Sequence, residues 1–432
     1  MREKNKHSVC GGTLLLVLRM SRAAGVAPIS FGPHGLNVSK PMYIYSLIFI
    51  FVMNVIILTG FLLDISEPHK SLRANTLTET VCWVSNLCVV TALALVGCVG
   101  APKRCACFID VLSGIHKIRN HFGYAEEKSA ERSFYLIIFW LFVICLGILS
   151  LTDIAFYTYS ALQVNKELYK LYLFSFFYIE YYIEILLGFQ FLLIMFHVRL
   201  GLADLNCKLK DLLQALDKQN NKDRSVIVDN FMSPRAKPFN YMIPLHVECE
   251  PDIFRVEASR TIRVLIFAYE SICELLRKLE QSHGTVLLVL LQSFFLHSII
   301  TPYNLITIYA ETGSIWFAAI QVGWFSLHAC NVVLIVEPCH RMQVEVPMQC
   351  VVGCSHIEMD TTRELVSRLV RRADAALAGG LRVFYRVLAL NRPAVAPLGL
   401  CVLGRPLVVS MLGAVTTYLV IILQFKASDE LL

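Results

Sequence analysis

The amino-acid sequence predicts an all-α, polytopic membrane protein with seven transmembrane helices. Of its 432 residues, 56% are hydrophobic and only 17% are charged, whereas soluble domains average about 25% charged residues. The mean hydropathy of the chain is +0.59. Seven apolar segments recur along the sequence, each at least ~19 residues long, which is the length that the hydrocarbon layer of a membrane requires.

These seven segments set the predicted order of the chain. They lie at 42–63, 78–100, 134–157, 171–197, 285–309, 315–336 and 407–425. The preceding residues, 1–40, are basic and contain only a short apolar run without a convincing cleavage site. We therefore expect a cytosolic N-terminal arm and not a signal peptide.

The distribution of Lys and Arg predicts the orientation in the membrane. Of the 39 Lys and Arg residues, 34 lie in the N-terminal arm and in the connections between spans 2 and 3, 4 and 5, and 6 and 7. Positively charged side chains collect on the cytosolic side of a membrane protein. The sequence therefore predicts that the N-terminus is inside and the C-terminus is outside.

The connections on the cytosolic side are predicted to contain helices of their own. Apolar residues recur at helical spacing in 202–216 and in 256–279, which predicts cytosolic extensions of the fourth and fifth spans. Between them, four prolines without sustained periodicity predict a flexible loop at 218–252. A third amphipathic stripe, at 362–390, precedes the seventh span. Gly379 and Gly380 predict a break or hinge in this helix, because Gly costs about 1 kcal/mol in a helix interior.

Acidic and polar side chains inside the spans are the candidates for a binding site. Asp153, Glu180 and Glu184 are the acids to explain, because a charge at the centre of a membrane helix costs about 2.5–3.5 kcal/mol. Further polar and aromatic residues are predicted at a similar outer depth: Trp83, Asn86, Tyr181, Thr301, Asn304, Gln321 and Trp324. Oxygens and amides bind the hydroxyl groups of a neutral polyol, and aromatic faces cover its C–H side. We therefore predict a small-molecule pocket that opens to the outside.

Structural interpretations of these residues stay open beside the functional one. Trp83 and Trp316 also fit an aromatic belt at the membrane boundary. Asp153 also fits an acid that is paired with another side chain and serves the structure alone. His297 and His328 are interpreted as packed, hydrogen-bonded core residues. The sequence Thr301-Pro302-Tyr303 is interpreted as a helix kink, which helps to shape a pocket.

The seventh span carries its small and polar residues on one face. Ala414, Thr417, Ile421 and Gln424 are spaced by three, four and three residues, so they lie on the same side of a helix. Close packing against another helix is one interpretation, because small residues and buried amides are common at such contacts. The other is a helix that lines a water-filled path.

The sequence contains no pattern that indicates an enzyme, a cofactor or a metal site. Nucleotide-binding, zinc-protease and hydrolase motifs do not occur in it. Its fifteen cysteines lack the paired C-x-x-C spacing of zinc sites. A net charge of +6 is too small to indicate nucleic acid as a partner. We expect no catalytic residues, no cofactor and no metal.

One motif in the seventh span resembles the signature of insect gustatory receptors. Thr417-Tyr418 is followed by five apolar residues and then by Gln424-Phe425, near the end of the chain. In that family the same pattern lies at the end of the seventh helix. The topology predicted from Lys and Arg, with the N-terminus inside, is the inverse of that of G-protein-coupled receptors and agrees with this family. The resemblance implies a homotetrameric, ligand-gated channel whose gate lies at the outer end of this helix, at Thr417, Ile421, Gln424 and Phe425.

Further short motifs are similar to the sugar-sensing, fructose-receptor-like branch of that family. They are Thr301-Pro302-Tyr303, Gln321-x-x-Trp324 and Glu337-Pro338-Cys339-His340. In that branch, the positions matched by Gln321 and Trp324 contact sugar. The resemblance assigns no role to Asp153, Glu180 or Glu184.

Together these observations predict a domain organisation. It comprises a cytosolic arm (1–40), transmembrane helices 1–4 (41–200), cytosolic helical extensions (201–284), transmembrane helices 5–6 (285–336), a cytosolic anchor helix region (337–405), and pore-lining helix 7 with a short external tail (406–432).

The predicted function is a gustatory receptor of the plasma membrane of a sensory neuron, acting as a non-selective cation channel. An extracellular tastant, with a sugar or polyol favoured, opens it. Its partners are this ligand, the permeating cations, membrane lipid and other copies of the chain or related receptor subunits. The alternatives are a seven-helix receptor that signals through a cytosolic partner, and a proton-coupled transporter that uses Glu180 and Glu184.

Overall fold

The structure is a computed structural model. It describes residues 12–32, 35–66, 77–123, 129–163, 167–232, 249–312, 315–343, 358–391 and 395–429.

Helices make up nearly all of the described chain. The elements, in chain order, are α1 (Thr13–Ala23), β1 (Ile29–Gly32), β2 (Gly35–Val38), α2 (Lys40–Ile65), α3 (Leu77–Val99), α4 (Ala101–Phe122), α5 (Ser129–Gln163), α6 (Leu168–Ser175), α7 (Phe177–Met232), α8 (Cys249–Thr312), α9 (Ile315–Gln343), α10 (Glu358–Arg372), α11 (Ala375–Leu390), a 3-10 turn (Pro397–Gly399) and α12 (Arg405–Asp429). The two strands form one antiparallel hairpin in which Ile29 pairs with Val38.

Seven of these helices are long and apolar enough to cross a membrane: α2, α3, α5, α7, α8, α9 and α12. The predicted all-α fold with seven spans is therefore confirmed. The spanning part of α7 is the most enclosed, with 78% of its most apolar window buried, whereas only 6% of the window in α12 is buried. α7 is thus the central helix of the bundle, and α12 lies on its surface.

The fourth and fifth spans continue as long helices, as the leucine spacing predicts. α7 has 56 residues and α8 has 64, so each carries a span and an extension. In the extensions, Leu205 and Leu209 of α7 are fully buried, as are Leu265 and Ile272 of α8. Burial of each such side chain stabilises the fold by roughly 1.5–3 kcal/mol. α10 and α11 complete this helical layer by packing on α7 and α8.

Two expectations for the connecting regions are wrong. α7 continues to Met232 and α8 begins at Cys249, so the predicted loop 218–252 is helical at both ends, and its centre, 233–248, lies outside the described residues. Gly379 and Gly380 lie inside the continuous helix α11. The break falls instead before α11, where a side-chain oxygen of Asp374 accepts a hydrogen bond of 3.1 Å from the backbone N–H of Leu377, a stabilising N-cap.

The helix α4 was not predicted, and a buried arginine joins it to its neighbours. Arg104 is 1% exposed. Its Nη2 donates to the carbonyl oxygens of Gly97 at 2.6 Å and Val26 at 3.3 Å, and its Nη1 donates to that of Val96 at 3.4 Å. Two of these carbonyls are in the last turn of α3, where the Val96 oxygen also accepts from the backbone N–H of Gly100 at 3.1 Å. Burial lowers the pKa of the Arg104 guanidinium to about 10, and the guanidinium stays charged at neutral pH.

The helices α2 and α6 approach each other closely at one glycine. A Cβ atom at Gly60 would lie 2.6 Å from the backbone N of Phe174. Only the absence of a side chain allows this distance, as at other close helix contacts in membrane proteins. Gly60 therefore fixes α6, and with it the start of α7.

Candidate ligand-binding site and pore helix

Five helices of the bundle enclose a small polar cavity. α3, α5, α7, α8 and α9 each contribute side chains to it. Its lining consists of Trp83, Asn86, Asp153, Tyr157, Phe177, Tyr178, Tyr181, His297, Ile300, Thr301, Asn304, Gln321, Trp324 and His328. Residues from five separate parts of the sequence thus meet at one place.

The cavity contains most of the residues that the sequence singles out for ligand binding. These are Trp83, Asn86, Asp153, Tyr181, Thr301, Asn304, Gln321 and Trp324. Glu180 and Glu184 are not part of its lining. Both are buried, at 2% and 1% exposure, but their carboxylates point to other partners.

Each of these two glutamates accepts a hydrogen bond from a hydroxyl group on a neighbouring helix. Thr91 Oγ1 of α3 donates to Glu180 Oε2 at 3.5 Å, and Ser293 Oγ of α8 donates to Glu184 Oε2 at 3.2 Å. Their second oxygens, Oε1 in both cases, have no hydrogen-bond partner among the described residues. The acids therefore join α7 to α3 and α8 beside the cavity.

A chain of hydrogen bonds connects the cavity to Glu184. Asn86 Nδ2 donates to the Tyr181 hydroxyl at 3.2 Å, and that hydroxyl lies 2.9 Å from His297 Nε2. His297 Nδ1 lies 2.6 Å from the backbone oxygen of Ser293. Because a carbonyl oxygen only accepts, Nδ1 carries the proton, and Nε2 of the neutral ring accepts from Tyr181. The Ser293 hydroxyl, whose Oγ lies 3.3 Å from the same Nδ1, donates to Glu184 and so completes the chain.

Asp153 is both a structural partner and a part of the cavity wall. Its Oδ2 accepts a short hydrogen bond of 2.5 Å from the Tyr178 hydroxyl, which holds α5 against α7. The carboxylate also lines the cavity. The two interpretations that the sequence left open are therefore compatible.

Stacked rings form one wall of the cavity. The Trp324 indole stacks on Tyr178, with ring centroids 6.1 Å apart, and on His328 at 5.9 Å. His328 in turn stacks on His297 at 4.1 Å. The nitrogens Trp324 Nε1 and His328 Nδ1 have no hydrogen-bond partner among the described residues. The wall therefore offers a flat aromatic surface and two polar atoms that a ligand can bind.

The sequence missed several lining residues. His297 and His328 were interpreted as core histidines, and both are indeed buried and packed, but they also line the cavity. Helical spacing is the signal that identifies them. His328 follows Trp324 by four residues, and His297 precedes Thr301 by four, so each shares a helix face with a predicted site residue.

Trp83 and Trp316, which the sequence allowed in either the pocket or the aromatic belt, have different positions in the structure. Trp83 lines the cavity and makes an edge-to-face contact with Phe174, with centroids 5.8 Å apart. Trp316 is 66% exposed near the start of α9, the position expected for a belt residue.

The free volume of the cavity is about 50 Å³. Typical ligand pockets have roughly 300–1,000 Å³. The cavity is therefore smaller than a monosaccharide, and a ligand of that size requires its walls to move apart.

The small and polar face of α12 does not pack on its own chain. Val415 is buried, and Leu419 and Ile422 pack on α8. Thr417, Ile421 and Gln424, on the other side of the helix, are exposed. A Cβ atom at Gly413 would meet no atom within 4 Å. The side chain of Phe425, the fourth predicted gate residue, lies outside the described part of the structure.

Comparison with known proteins identifies the family. A family model described as 7tm Chemosensory receptor matches residues 14–429. The chain belongs to this family of chemosensory receptors. The family is one of multi-pass membrane receptors and not of enzymes.

The chain is also similar to a curated taste receptor. It is 26% identical to the Gustatory receptor for sugar taste 43a of Drosophila melanogaster over 172 residues, which is 39% of this chain and 36% of that receptor. The match thus spans about a third of the relative. Together with the family match, it confirms the resemblance to insect gustatory receptors.

Solved structures of insect olfactory receptors share the fold. The olfactory receptor OR5 of Machilis hrabei matches with a TM-score of 0.54 and 12% identity, over 95% of this chain and 97% of that one. The same receptor in complex with eugenol matches with a TM-score of 0.52 and 13% identity over the same shares. This likeness extends over the whole length of both chains.

Proposed function

We propose that this chemosensory receptor is a gustatory receptor of the plasma membrane of sensory neurons. It acts as a ligand-gated, non-selective cation channel. A neutral, hydroxyl-rich tastant, a sugar or related polyol, binds from the outside and opens it. The observation that carries this proposal is the cavity between α3, α5, α7, α8 and α9, which is lined by eight of the ten predicted binding residues.

The chemistry of the cavity supports a sugar as the ligand. Asp153 and the amides of Asn86 and Gln321 provide acceptors and donors for hydroxyl groups. The Trp324 indole provides an aromatic face for the C–H side of the ring. The similarity to a receptor named for sugar taste points in the same direction.

We infer the gating step from the small volume of the cavity. A ligand that binds only when the walls are apart shifts the population towards the wider state, by as much as its affinities for the two states differ. The closed form is then the one with a free volume of about 50 Å³.

A direct contact can transmit this movement to the pore helix. Ile300 of α8 lines the cavity, and it also belongs to a buried cluster with Tyr303 that packs against Leu419 and Ile422 of α12. Five residues earlier in α8, Phe295 contacts Tyr418 edge to face, with ring centroids 6.1 Å apart. A displacement of α8 at the cavity therefore displaces the outer half of α12.

The pore of the proposed channel lies between four copies of α12. The exposed face with Thr417, Ile421 and Gln424 supports this arrangement, because it faces away from the rest of its own chain. Four copies of Ile421 and Phe425 form an apolar constriction that stops ions by dewetting. The Gln424 amides line the path when the helices move apart. The assembly is a homotetramer, or contains related receptor subunits.

Current recordings test the proposal. Outside-out patches from cells that express only this chain are exposed to hexoses, polyols and bitter compounds. We expect a rapid cation current with hexoses or polyols, without GTP in the solutions. A response that disappears on patch excision supports the receptor with a cytosolic partner. Saturable, pH-dependent uptake of labelled sugar without channel current supports the transporter that uses Glu180 and Glu184.

A further inference from the structure

An apolar groove between α2 and α3 lies apart from the ligand cavity. It is lined by Leu47, Ile48, Ile50, Phe51, Leu95, Cys98 and Val99, with a free volume of about 390 Å³. Three of these side chains are largely exposed, namely Phe51 at 68%, Ile48 at 59% and Val99 at 59%. Both helices span the membrane, so the groove faces the hydrocarbon layer.

One end of the groove is basic. The Tyr43 hydroxyl donates to the backbone oxygen of Val99 at 3.4 Å, which brings the start of α2 beside the end of α3. Lys40 shares its helix face with Tyr43, Leu47 and Phe51, at intervals of three and four residues. Lys103 follows Val99 by four residues across Gly100, whose backbone remains right-handed with φ −78° and ψ −5°. Both lysines therefore lie beyond the same end of the groove.

Among the described residues, no acid forms an ion pair with either of these two lysines. α2 contains no acidic residue before Asp64, which is at its other end, and none lies between Glu79 and Asp110 in α3 and α4. Lys40 and Lys103 are exposed, and neither forms an ion pair with any described residue. The apolar groove thus ends at the membrane boundary beside the positive charges of Lys40 and Lys103.

We propose that this groove binds an anionic glycerophospholipid. An acyl chain lies between α2 and α3 along Leu47, Phe51 and Leu95, and the headgroup phosphate binds Lys40 and Lys103. Basic sites at the cytoplasmic ends of transmembrane helices bind anionic headgroups in this way. In the proposed orientation, this end of the groove faces the cytoplasmic leaflet, which carries the anionic lipids. The site is independent of the proposed gating.

Lipid binding to the purified full-length protein tests this site. The protein in mild detergent is incubated with equal amounts of phosphatidylserine and phosphatidylcholine, and bound lipids are counted by native mass spectrometry. We expect phosphatidylserine to be retained preferentially. Lys40→Gln and Lys103→Gln should each weaken its binding about five-fold, and together roughly 25-fold. The matched control Lys210→Gln, an exposed lysine on the extension of α7, should not change it.

A groove-filling variant distinguishes a site from simple attraction of charges. Ile48→Trp keeps both lysines but occupies the space of the acyl chain, so it should also abolish retention of phosphatidylserine. Three outcomes overturn the proposal. They are equal retention of both lipids, lysine variants that bind as well as the wild type, and an Ile48→Trp protein that binds normally. If no lipid is retained and Ile48→Trp changes only the oligomeric state, a second copy of the chain covers the groove, and the proposal also falls.

Discussion

In the proposed binding site, Trp324 provides the aromatic surface for the ligand. It is 6% exposed and contacts Tyr178, Tyr181 and His328 in the cavity wall. Trp324→Ala removes the aromatic surface, so the ligand concentration for half-maximal current should rise at least ~10-fold, the equivalent of about 1.4 kcal/mol, with unchanged single-channel conductance. Trp316→Ala is the control on the same helix, because Trp316 is 66% exposed. An unchanged dose–response curve for Trp324→Ala would remove this residue from the pocket.

Gln424 is the corresponding residue of the proposed pore. Because its amide lies on the exposed face of α12, Gln424→Ala should change single-channel conductance or ion selectivity and leave ligand potency nearly unchanged. Thr416→Ala is the control, since Thr416 is exposed but points about 100° away from Thr417. Recordings of reversal potentials in mixed cations measure the effect. A change in potency alone would contradict the assignment of Gln424 to the pore.

Arg104 is predicted to act on stability and not on signalling. Its three bonds to carbonyl oxygens join α3, α4 and the segment after α1. Arg104→Ala removes the donors to the carbonyl oxygens of Gly97 and Val26, whereas the Val96 oxygen keeps the N–H of Gly100, so the protein should lose about 2–4 kcal/mol of stability. The thermal unfolding of the purified protein measures this loss. Lys117→Gln, at an exposed position of the same helix, should unfold within a degree or so of the wild type. Equal unfolding temperatures for both variants would show that the Arg104 bonds contribute little.

Single residues also show where sequence reasoning about the site ends. The cost of burying a charge singles out Asp153, Glu180 and Glu184, and all three are buried, but it does not say which neighbour each carboxylate faces. That depends on the rotation of α7 against α3 and α8, which brings Thr91 to Glu180 and Ser293 to Glu184. Histidines are ambiguous for the same reason. His328 is packed and lines the cavity at once, and composition alone cannot separate these roles.

The membrane-spanning helices are predictable from the hydropathy of the sequence, whereas a helix such as α4, which depends on tertiary contacts, is not. A span must bury nearly every side chain in lipid or protein, so its sequence is a long apolar run. α4 is different, because its mixed sequence forms a helix with one buried face, including Phe108 and Leu112, on α7 and α8. The start of α11 has a local sequence signal, because Asp374 is a favourable N-cap residue. Gly379 and Gly380 are a weaker signal for a break, and α11 continues through them.

The contact between α8 and α12 gives a prediction about how ligand binding in the cavity is coupled to opening of the proposed pore. Ile300 lines the cavity and packs on the cluster that contains Leu419 and Ile422. Ile300→Ala removes the side chain that touches both, so the maximal current at saturating ligand should fall several-fold with unchanged conductance. Ile299→Ala is a close control, since Ile299 is adjacent and equally buried, at 5% against 6% exposure, but lies outside both groups. If the two variants behave alike, the loss reflects packing of α8 in general and not this contact.

In the proposed tetramer, α12 is the helix that contacts the other copies of the chain. α12 is apolar enough to span the membrane, and yet 6% of its window is buried, with a small and polar face turned outward. Val409 and Leu412 are apolar and suit lipid contact, whereas the exposed face with Thr417 and Gln424 carries polar side chains, and the Thr417 hydroxyl donates to the backbone oxygen of Gly413 at 3.1 Å. Four copies around an axis place this face on a common path, whereas a monomeric receptor leaves it in lipid.

Cysteine cross-linking distinguishes these two arrangements. α12 contains no cysteine, so Thr417→Cys introduces a thiol on the exposed face and Val415→Cys introduces one on the face buried against the same chain. If α12 lines a central pore, Thr417→Cys in membranes should form disulfide-linked dimers under mild oxidation, and Val415→Cys should form far fewer. Because thiols at a gate approach each other only when it is narrow, a bound tastant that opens the pore should slow this cross-linking. Monomers from both variants under all conditions would instead support the seven-helix receptor that signals through a cytosolic partner.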